Sequence, residues 1–180
     1  MVQRRNVKIR NATQTKDKGI TFKSQAEKTI YRALLEKNIK PKYESKTFVL
    51  WDGFIPITPF YDEETETQRD KRIAQNPESG SSKLLVSKMD KVIGIRYTPD
   101  FYFKVKDVDV WIEVKGIEND VFYIKKKLFR KYLDDLYRTK GKRSMYFEIH
   151  TKRQLLQALE IINEYAYPTT NNQESAEVSS

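Results

Sequence analysis

The sequence predicts an α/β protein with a mixed central β-sheet flanked by α-helices. Several segments place apolar residues at helical spacing, and several shorter ones alternate apolar with polar residues. The two kinds of segment are interleaved along the chain, in the order helix, strand, long polar segment, hairpin, helix, strand, helix. This order favours one sheet with helices packed against it rather than an all-helical or all-strand fold.

The first helix is predicted to begin at a capping box. Ser24-Gln-Ala-Glu27 places Glu27 at the third helical position, and an apolar stripe continues to about Lys37. Pro41 closes the connection, and the loosely alternating residues 42–51 predict a strand.

A polar stretch separates this strand from a hairpin. Residues 62–83 are polar and end in a cluster of Pro, Gly and Ser, which indicates a surface insertion or a mobile loop. Residues 92–97 and 101–105 predict strand segments, and residues 110–114 predict a second strand that pairs with the latter through a turn near Asp107.

The C-terminal part predicts helix, strand and helix. Residues 120–138 form an amphipathic helix, and residues 145–149 predict a strand. Thr151 opens a last helix through Tyr165. The stripe expected to face the sheet from the first of these helices is Val121, Ile124, Leu128, Tyr132 and Leu136.

These elements predict one folded domain. Residues 1–18 are expected to be a flexible basic arm, residues 19–167 the domain with its insertion at about 62–83, and residues 168–180 a disordered tail. The net charge of +9 favours a polyanionic partner. The absence of cysteine excludes disulfides, thiolate zinc sites and a cysteine nucleophile, and the absence of a long apolar run leads us to expect a cytoplasmic protein with no membrane span.

Asp100, Glu113 and Lys115 are the residues that point to chemistry. Alternate side chains of a strand share a face, so Glu113 and Lys115 point to one side, while Ile112 and Val114 point to the opposite layer. The predicted hairpin brings Asp100 close to them. Two carboxylates can hold Mg²⁺, and the amine can orient or deprotonate a water or neutralise charge in a transition state.

Glu27 is a fourth candidate. It lies on the same helical stripe as Ile30 and Leu34, where an acid is costly unless it is paired or bound to metal. A capping-box glutamate with no further role is the alternative.

These residues resemble the PD-(D/E)xK nuclease superfamily over roughly residues 19–150. Pro99-Asp100 matches the first half of the motif and Glu113-Val114-Lys115 the second, and Glu27 precedes both. The blocks at residues 97–101 and 113–116 are similar to phage Holliday-junction resolvases called endonuclease I.

Two further runs, residues 19–24 and 120–129, are similar to an uncharacterised phage and prophage family assigned to the same fold. The resemblance implies a restriction-endonuclease-like core and a metal-dependent endodeoxyribonuclease. It implies Mg²⁺, with Mn²⁺ substituting, held by Asp100, Glu113 and the Val114 carbonyl, with Lys115 positioning water and Glu27 assisting. It also favours branched or junction DNA as substrate and a homodimer that cleaves two strands.

The helix after Gly116 carries a basic run that is expected either to contact DNA phosphates or to form a solvated helix face. Its members are Lys125, Lys126, Lys127, Arg130 and Lys131. Two other functions stay open: a transposase-type subunit that cleaves DNA ends with a partner protein, and a non-cleaving DNA-binding module with the same fold.

Overall fold

The computed structural model describes residues 13–116 and 120–167. The helices found there are α1 (Gln25–Glu36), α2 (Glu66–Gln75), α3 (Asp120–Lys140) and α4 (Lys152–Ala166), with a short 3₁₀ turn at Pro77–Ser79. The strands are β1 (Thr15–Asp17), β2 (Ile20–Phe22), β3 (Lys42–Tyr43), β4 (Phe48–Trp51), β5 (Phe60–Glu63), β6 (Leu85–Lys88), β7 (Ile95–Tyr97), β8 (Phe101–Val105), β9 (Val108–Val114) and β10 (Ser144–Ile149). The predicted α/β class is confirmed.

The chain forms two compact units. The first, called the sheet unit, comprises the chain up to Leu50 and from Arg96 onward, and the second, called the insert unit, is Trp51–Ile95. None of the helices in the described ranges has the length and hydropathy needed to cross a membrane.

The central sheet of the sheet unit has the strand order β10-β9-β8-β3. Strands β8 and β9 form an antiparallel hairpin, with Phe101 opposite Ile112 and Val105 opposite Val108. Strand β10 runs parallel to β9, with Glu148 beside Glu113. The expected hairpin and the expected mixed sheet are therefore both confirmed.

Both faces of this sheet are covered by apolar packing. Side chains of α1 and α4 form one core with the face that carries Val110, Ile112 and Val114. Side chains of α3 form a second core with Trp111 on the other face of the sheet and with Tyr97 of β7. All seven residues of β9 are buried, so its alternation separates two apolar layers, as the sequence predicted for Ile112 and Val114.

The predicted inward stripe of α3 is wrong at Val121 and Ile124, whereas Tyr132 packs against the second core. Val121 and Ile124 are 61% and 53% exposed, and the residues that α3 buries are Phe122, Phe129 and Leu133. The buried set is offset from the predicted stripe by one residue position, a rotation of about 100° about the helix axis, and the rings of Phe122 and Phe129 occupy the sheet-facing side. Lys126 lies on this same side of the helix and is mostly buried.

The polar insertion at about 62–83 is neither a loop nor confined to those residues. The insert unit contains an antiparallel pair, β5 with β6, and the helix α2. Helix α2 begins with a complete capping box formed by Thr65 and Gln68. Gly53 and Gly94 approach so closely that a Cβ on Gly53 would lie 2.5 Å from the Val92 carbonyl oxygen.

The other predicted boundaries shift by small amounts. The expected strand at 42–51 is split into β3 and β4, and residues 15–17 of the predicted arm form β1, which pairs with β2. Residues 1–12 of the predicted arm and the predicted tail, residues 168–180, lie outside the described residues.

Candidate active site

The β8–β9 hairpin brings Asp100 to the end of β9. The register places Phe101 opposite Ile112, so Asp100 lies beside the last residues of β9. The Val114 backbone N–H donates a 2.7 Å hydrogen bond to Asp100 Oδ2. The predicted convergence of Asp100 with Glu113 and Lys115 is therefore confirmed as geometry.

Both carboxylate oxygens of Glu113 have partners. The Tyr97 hydroxyl donates to Oε2 at 2.7 Å, and Lys115 Nζ lies 2.7 Å from Oε1. Lys115 Nζ also lies 3.8 Å from the centroid of the Phe122 ring, within cation–π distance. Glu113 is buried, and Lys115 keeps about a fifth of its side chain exposed, so the amine is fixed but accessible.

Asp100 is the buried carboxylate with the fewest partners among the described residues. It forms no ion pair with any residue in the described ranges, and its Oδ1 accepts no hydrogen bond from them. Burial, together with the nearby charge of Glu113, raises its pKa to about 8, even though the Val114 N–H acts in the opposite direction. A nearby cation would reverse this shift.

Tyr97 connects Glu113 to Tyr146 on the adjacent strand. The two hydroxyl oxygens are 2.9 Å apart. Because an ionised carboxylate only accepts, Tyr97 donates its single proton to Glu113, and Tyr146 must donate to Tyr97. Burial is the main cause that raises the pKa of both phenols, so both stay protonated near neutral pH. The result is a directed chain of hydrogen bonds that ends on Glu113.

Glu27 forms part of the site wall and is held by the residues just before α1 and by Tyr43 of β3. The Ser24 hydroxyl accepts from the Glu27 N–H, as the predicted cap requires, and donates to Oε1 at 2.8 Å. The return bond differs from a standard capping box, because Oε2 accepts from the Lys23 N–H at 3.0 Å. The Tyr43 hydroxyl donates to the same oxygen at 2.6 Å. These bonds satisfy the buried carboxylate without metal.

The four catalytic candidates line one cavity of about 450 Å³. The wall carries four acidic side chains, Glu27, Glu44, Asp100 and Glu113, and four basic ones, Lys23, Arg96, Lys115 and Lys125. Val114, the predicted backbone ligand, also lines the cavity. Acidic side chains of this wall could bind a cation, and its basic side chains could bind an anionic group.

The sequence did not single out Glu44, Lys23 or Tyr97. Glu44 forms an ion pair with Lys23, and its N–H donates to the Asp100 carbonyl at 2.8 Å. Its φ of 41° is in the left-handed region, which is uncommon for a residue other than glycine. Lys23 adjoins the Ser24 cap and Tyr97 adjoins Pro99-Asp100, so proximity to the motifs was the available signal.

The site partly fits a hard divalent cation. The free Oδ1 of Asp100 and its raised pKa indicate a position where positive charge is missing, and Mg²⁺ is commonly bound through one or two carboxylates with water completing its shell. Within residues 13–116 and 120–167, however, no three His, Cys, Asp or Glu side chains are grouped closely enough to hold an ion together. The donor set therefore fits a metal held by two carboxylates rather than by a closed cage.

The predicted DNA-contacting residues divide between two surfaces of α3. Lys125 lines the active-site cavity, whereas Lys126, Lys127, Arg130 and Lys131 line a separate groove beside β10. Lys126 is mostly buried and binds the Glu148 carboxylate at 2.7 Å. Lys127, Arg130 and Lys131 are exposed.

The chain was compared with models of known protein families, with curated proteins and with solved structures, and none of them matches it. The function is therefore inferred from the site itself.

Proposed function

We propose that this chain is a metal-dependent endodeoxyribonuclease with a restriction-endonuclease-like core. The observation that carries the proposal is the convergence of Asp100, Glu113 and Lys115 at one end of the β8–β9 hairpin. Asp100 is buried without an ion pair in the described parts of the chain, which is an unfavourable arrangement unless a cation joins it. Perturbed carboxylates in a cavity are frequent in functional sites.

Asp100 and Glu113 would hold Mg²⁺ or Mn²⁺, with the Val114 carbonyl as a further oxygen ligand. When bound, such an ion polarises a phosphate and lowers the pKa of an attacking water. Every other contribution comes from side chains that the fold already positions.

Lys115 is placed to act on the phosphate or on the water. Its Nζ is held between Glu113 Oε1 and the Phe122 ring and faces the cavity. There it would orient the attacking water and stabilise the negative charge that develops on the phosphate oxygens. Tyr97 fixes the orientation of Glu113, and Glu27 would assist through a water rather than as a primary ligand.

DNA is the proposed substrate because the chain carries a net charge of +9 and because Lys125 and Arg96 lie at the cavity. A branched substrate and a homodimer are supported by the resemblance to phage resolvases alone. A panel of single-stranded, duplex, flap and four-way-junction DNA would identify the preferred structure.

Nicking of supercoiled plasmid DNA, measured against a titration of Mg²⁺ or Mn²⁺, tests the activity. Cleavage should require the metal and stop in EDTA. Glu113→Gln and Lys115→Ala should each lower the rate by about 100-fold or more, the usual effect of removing a group that stabilises transition-state charge.

Asp109→Asn is the matched control. Asp109 is a buried carboxylate on the same strand and the same face as Glu113, at the opposite end of β9, where Lys142 and Tyr102 bind it. This variant should keep its cleavage rate, with thermal melting used to verify folding. Full activity of Glu113→Gln, or cleavage in EDTA, would refute the proposal.

A further inference from the structure

A groove of about 820 Å³ lies beside the active-site cavity, between α3 and the edge strand β10. Its lining includes four basic residues of α3 and four other side chains: Lys126, Lys127, Arg130, Lys131, Leu133, Asp134, Tyr146 and Glu148. It belongs entirely to the sheet unit. The proposed chemistry does not use it.

The groove is lined by four cations and two acids. Glu148 is bound by Lys126, and Asp134 forms an ion pair with Arg138 at 2.8 Å. Neither Lys127 nor Arg130 forms an ion pair with a carboxylate in the described parts of the chain. The groove therefore presents a surplus of positive charge.

Lys131 adds a third cation that a ligand can recruit. Its partner is Asp135, one helical turn away, and both side chains are more than half exposed. Exposed ion pairs at this spacing stabilise a helix by only about 0.3–0.5 kcal/mol. A phosphate can therefore replace Asp135 as the partner of Lys131 at small cost.

Helix α3 joins the groove to the active-site cavity. Lys125 lines the cavity, and the basic residues from Lys126 to Lys131 line the groove. Six residues of helix rise about 9 Å, which corresponds to between two and three nucleotides at about 3.4 Å each along one strand. The two sites are also connected through the wall by Tyr146 and Tyr97.

An exposed aromatic residue accompanies these cations. Tyr123 is 50% exposed and lies one turn before Lys127, whose Nζ is 4.3 Å from the ring centroid. Aromatic rings beside basic side chains are typical of surfaces where bases stack while cations bind the backbone. This combination favours a nucleic-acid strand over an acidic peptide.

We propose that the groove between α3 and β10 binds the phosphodiester backbone of the strand that leaves the active site. Lys127, Arg130 and Lys131 bind the phosphates of the two or three nucleotides next to the cleaved bond. This assignment rests on the proposed nuclease function and adds to it the path of the substrate strand.

The test is the salt dependence of binding to fluorescein-labelled single-stranded and duplex oligonucleotides, measured by anisotropy in EDTA so that cleavage plays no part. The groove variant combines Lys127→Ala, Arg130→Ala and Lys131→Ala. Each lost phosphate contact lowers the slope of log K against log salt by about 0.7–0.9, so the slope should fall by about two.

The control variant removes the same charge elsewhere on the sheet unit. It combines Lys40→Ala, Lys42→Ala and Lys104→Ala, three exposed lysines around a different cavity. Its slope should change by much less than that of the groove variant. Equal changes in the two variants would show that only bulk charge matters and would overturn the assignment, as would an unchanged slope in the groove variant.

The outcome is independent of whether the chain cleaves DNA. If the wild type cuts nothing while the two variants differ in slope, the proposed nuclease function fails and the groove remains a nucleic-acid site. If the wild type cuts plasmid DNA while the variants have equal slopes, the groove assignment fails and the nuclease proposal stands.

Discussion

Asp100 in the sheet unit and Glu64 in the insert unit are both buried carboxylates, with 8% and 3% of their surface exposed. The Arg72 guanidinium forms an ion pair with Glu64, and its hydrogen bonds hold the pKa of that carboxyl below the ordinary value. Asp100 has no such partner among the described residues, and burial beside Glu113 raises its pKa to about 8.

Under the proposed function, the difference separates a carboxylate that serves the fold from one that would serve a ligand. Arg72 binds Glu64 and also donates to the backbone carbonyls of Ser79, Gly80 and Ser82, so its charge organises the insert unit. Asp100 accepts one backbone hydrogen bond, and no cation among the described residues forms an ion pair with its carboxylate. A fold tolerates such a cost where the missing cation is supplied from outside.

The two units also differ in how much apolar surface they bury. Asp100 lies at the margin of two apolar cores, whereas no apolar side chain of residues 51–95 is buried. Ile57, Leu85 and Ile93 are each at least 70% exposed in the insert unit. Polar contacts therefore hold the insert unit, and apolar burial holds the sheet unit.

The largest expected change in the free energy of unfolding comes from a substitution in the apolar layer next to Asp100. Ile112→Ala removes a fully buried side chain opposite Phe101 and should lower the free energy of unfolding by about 2–5 kcal/mol in urea denaturation. Ile57→Ala, at a residue 93% exposed in the insert unit, should change it by less than about 0.5 kcal/mol. Similar losses in the two variants would contradict the comparison.

The next effect is the pH dependence of stability, which should have opposite signs for the two carboxylates. The folded pKa of Asp100, about 8, lies above its ordinary value of 3.8, so the folded chain holds a proton that the unfolded chain releases. Stability from this group therefore falls as the pH rises between those values. In EDTA, the free energy of unfolding of Asp100→Asn should increasingly exceed that of the wild type as the pH rises from about 3.8 to about 8. Mg²⁺ should reduce this difference, because it should stabilise only the wild type.

Glu64→Gln is the matched control. The folded pKa of Glu64 lies below its ordinary value, so this carboxylate stabilises the fold above that value and loses the contribution as the pH falls. The variant should be less stable than the wild type at neutral pH, and the gap should close in acid. Urea denaturation over a pH series measures both variants, and gaps of the same sign would refute the distinction.

The sequence could predict the parts of the site that depend on strand alternation. The two-residue period of β9 places Glu113 opposite the layer of Ile112 and Val114, and chain reversal at the hairpin brings Asp100 to it. The alternation and the chain reversal both depend on local geometry, which can be predicted from one sequence. The cap at Ser24 was predictable for the same reason.

Features that depend on tertiary packing were not predictable. Two apolar stripes compete on α3, and only the rings already facing it, such as Tyr97 and Trp111, select the one that contains Phe129. The insert unit is held by polar contacts that centre on Arg72, so its sequence needs no apolar periodicity. A polar segment without such periodicity is predicted to be a loop. The hydrogen bond between Tyr97 and the Tyr146 hydroxyl on β10 could not be predicted, because it depends on how two strands distant in sequence are placed.

The smallest expected effect concerns the hydrogen bonds that hold Glu113. Tyr97→Phe keeps the ring in its apolar setting and removes the bond to Glu113 Oε2. The free energy of unfolding should fall by about 1.5–3 kcal/mol, the range for a hydrogen bond to a charged group. The Mg²⁺ concentration for half-maximal cleavage should rise about tenfold or more, as is usual when a group that orients a metal ligand is lost. Tyr146→Phe acts through Tyr97 and should shift it less, and Tyr137→Phe, at an exposed tyrosine of α3, should leave it unchanged. A larger shift for Tyr146→Phe than for Tyr97→Phe would mean that the chain of hydroxyls does not act on Glu113.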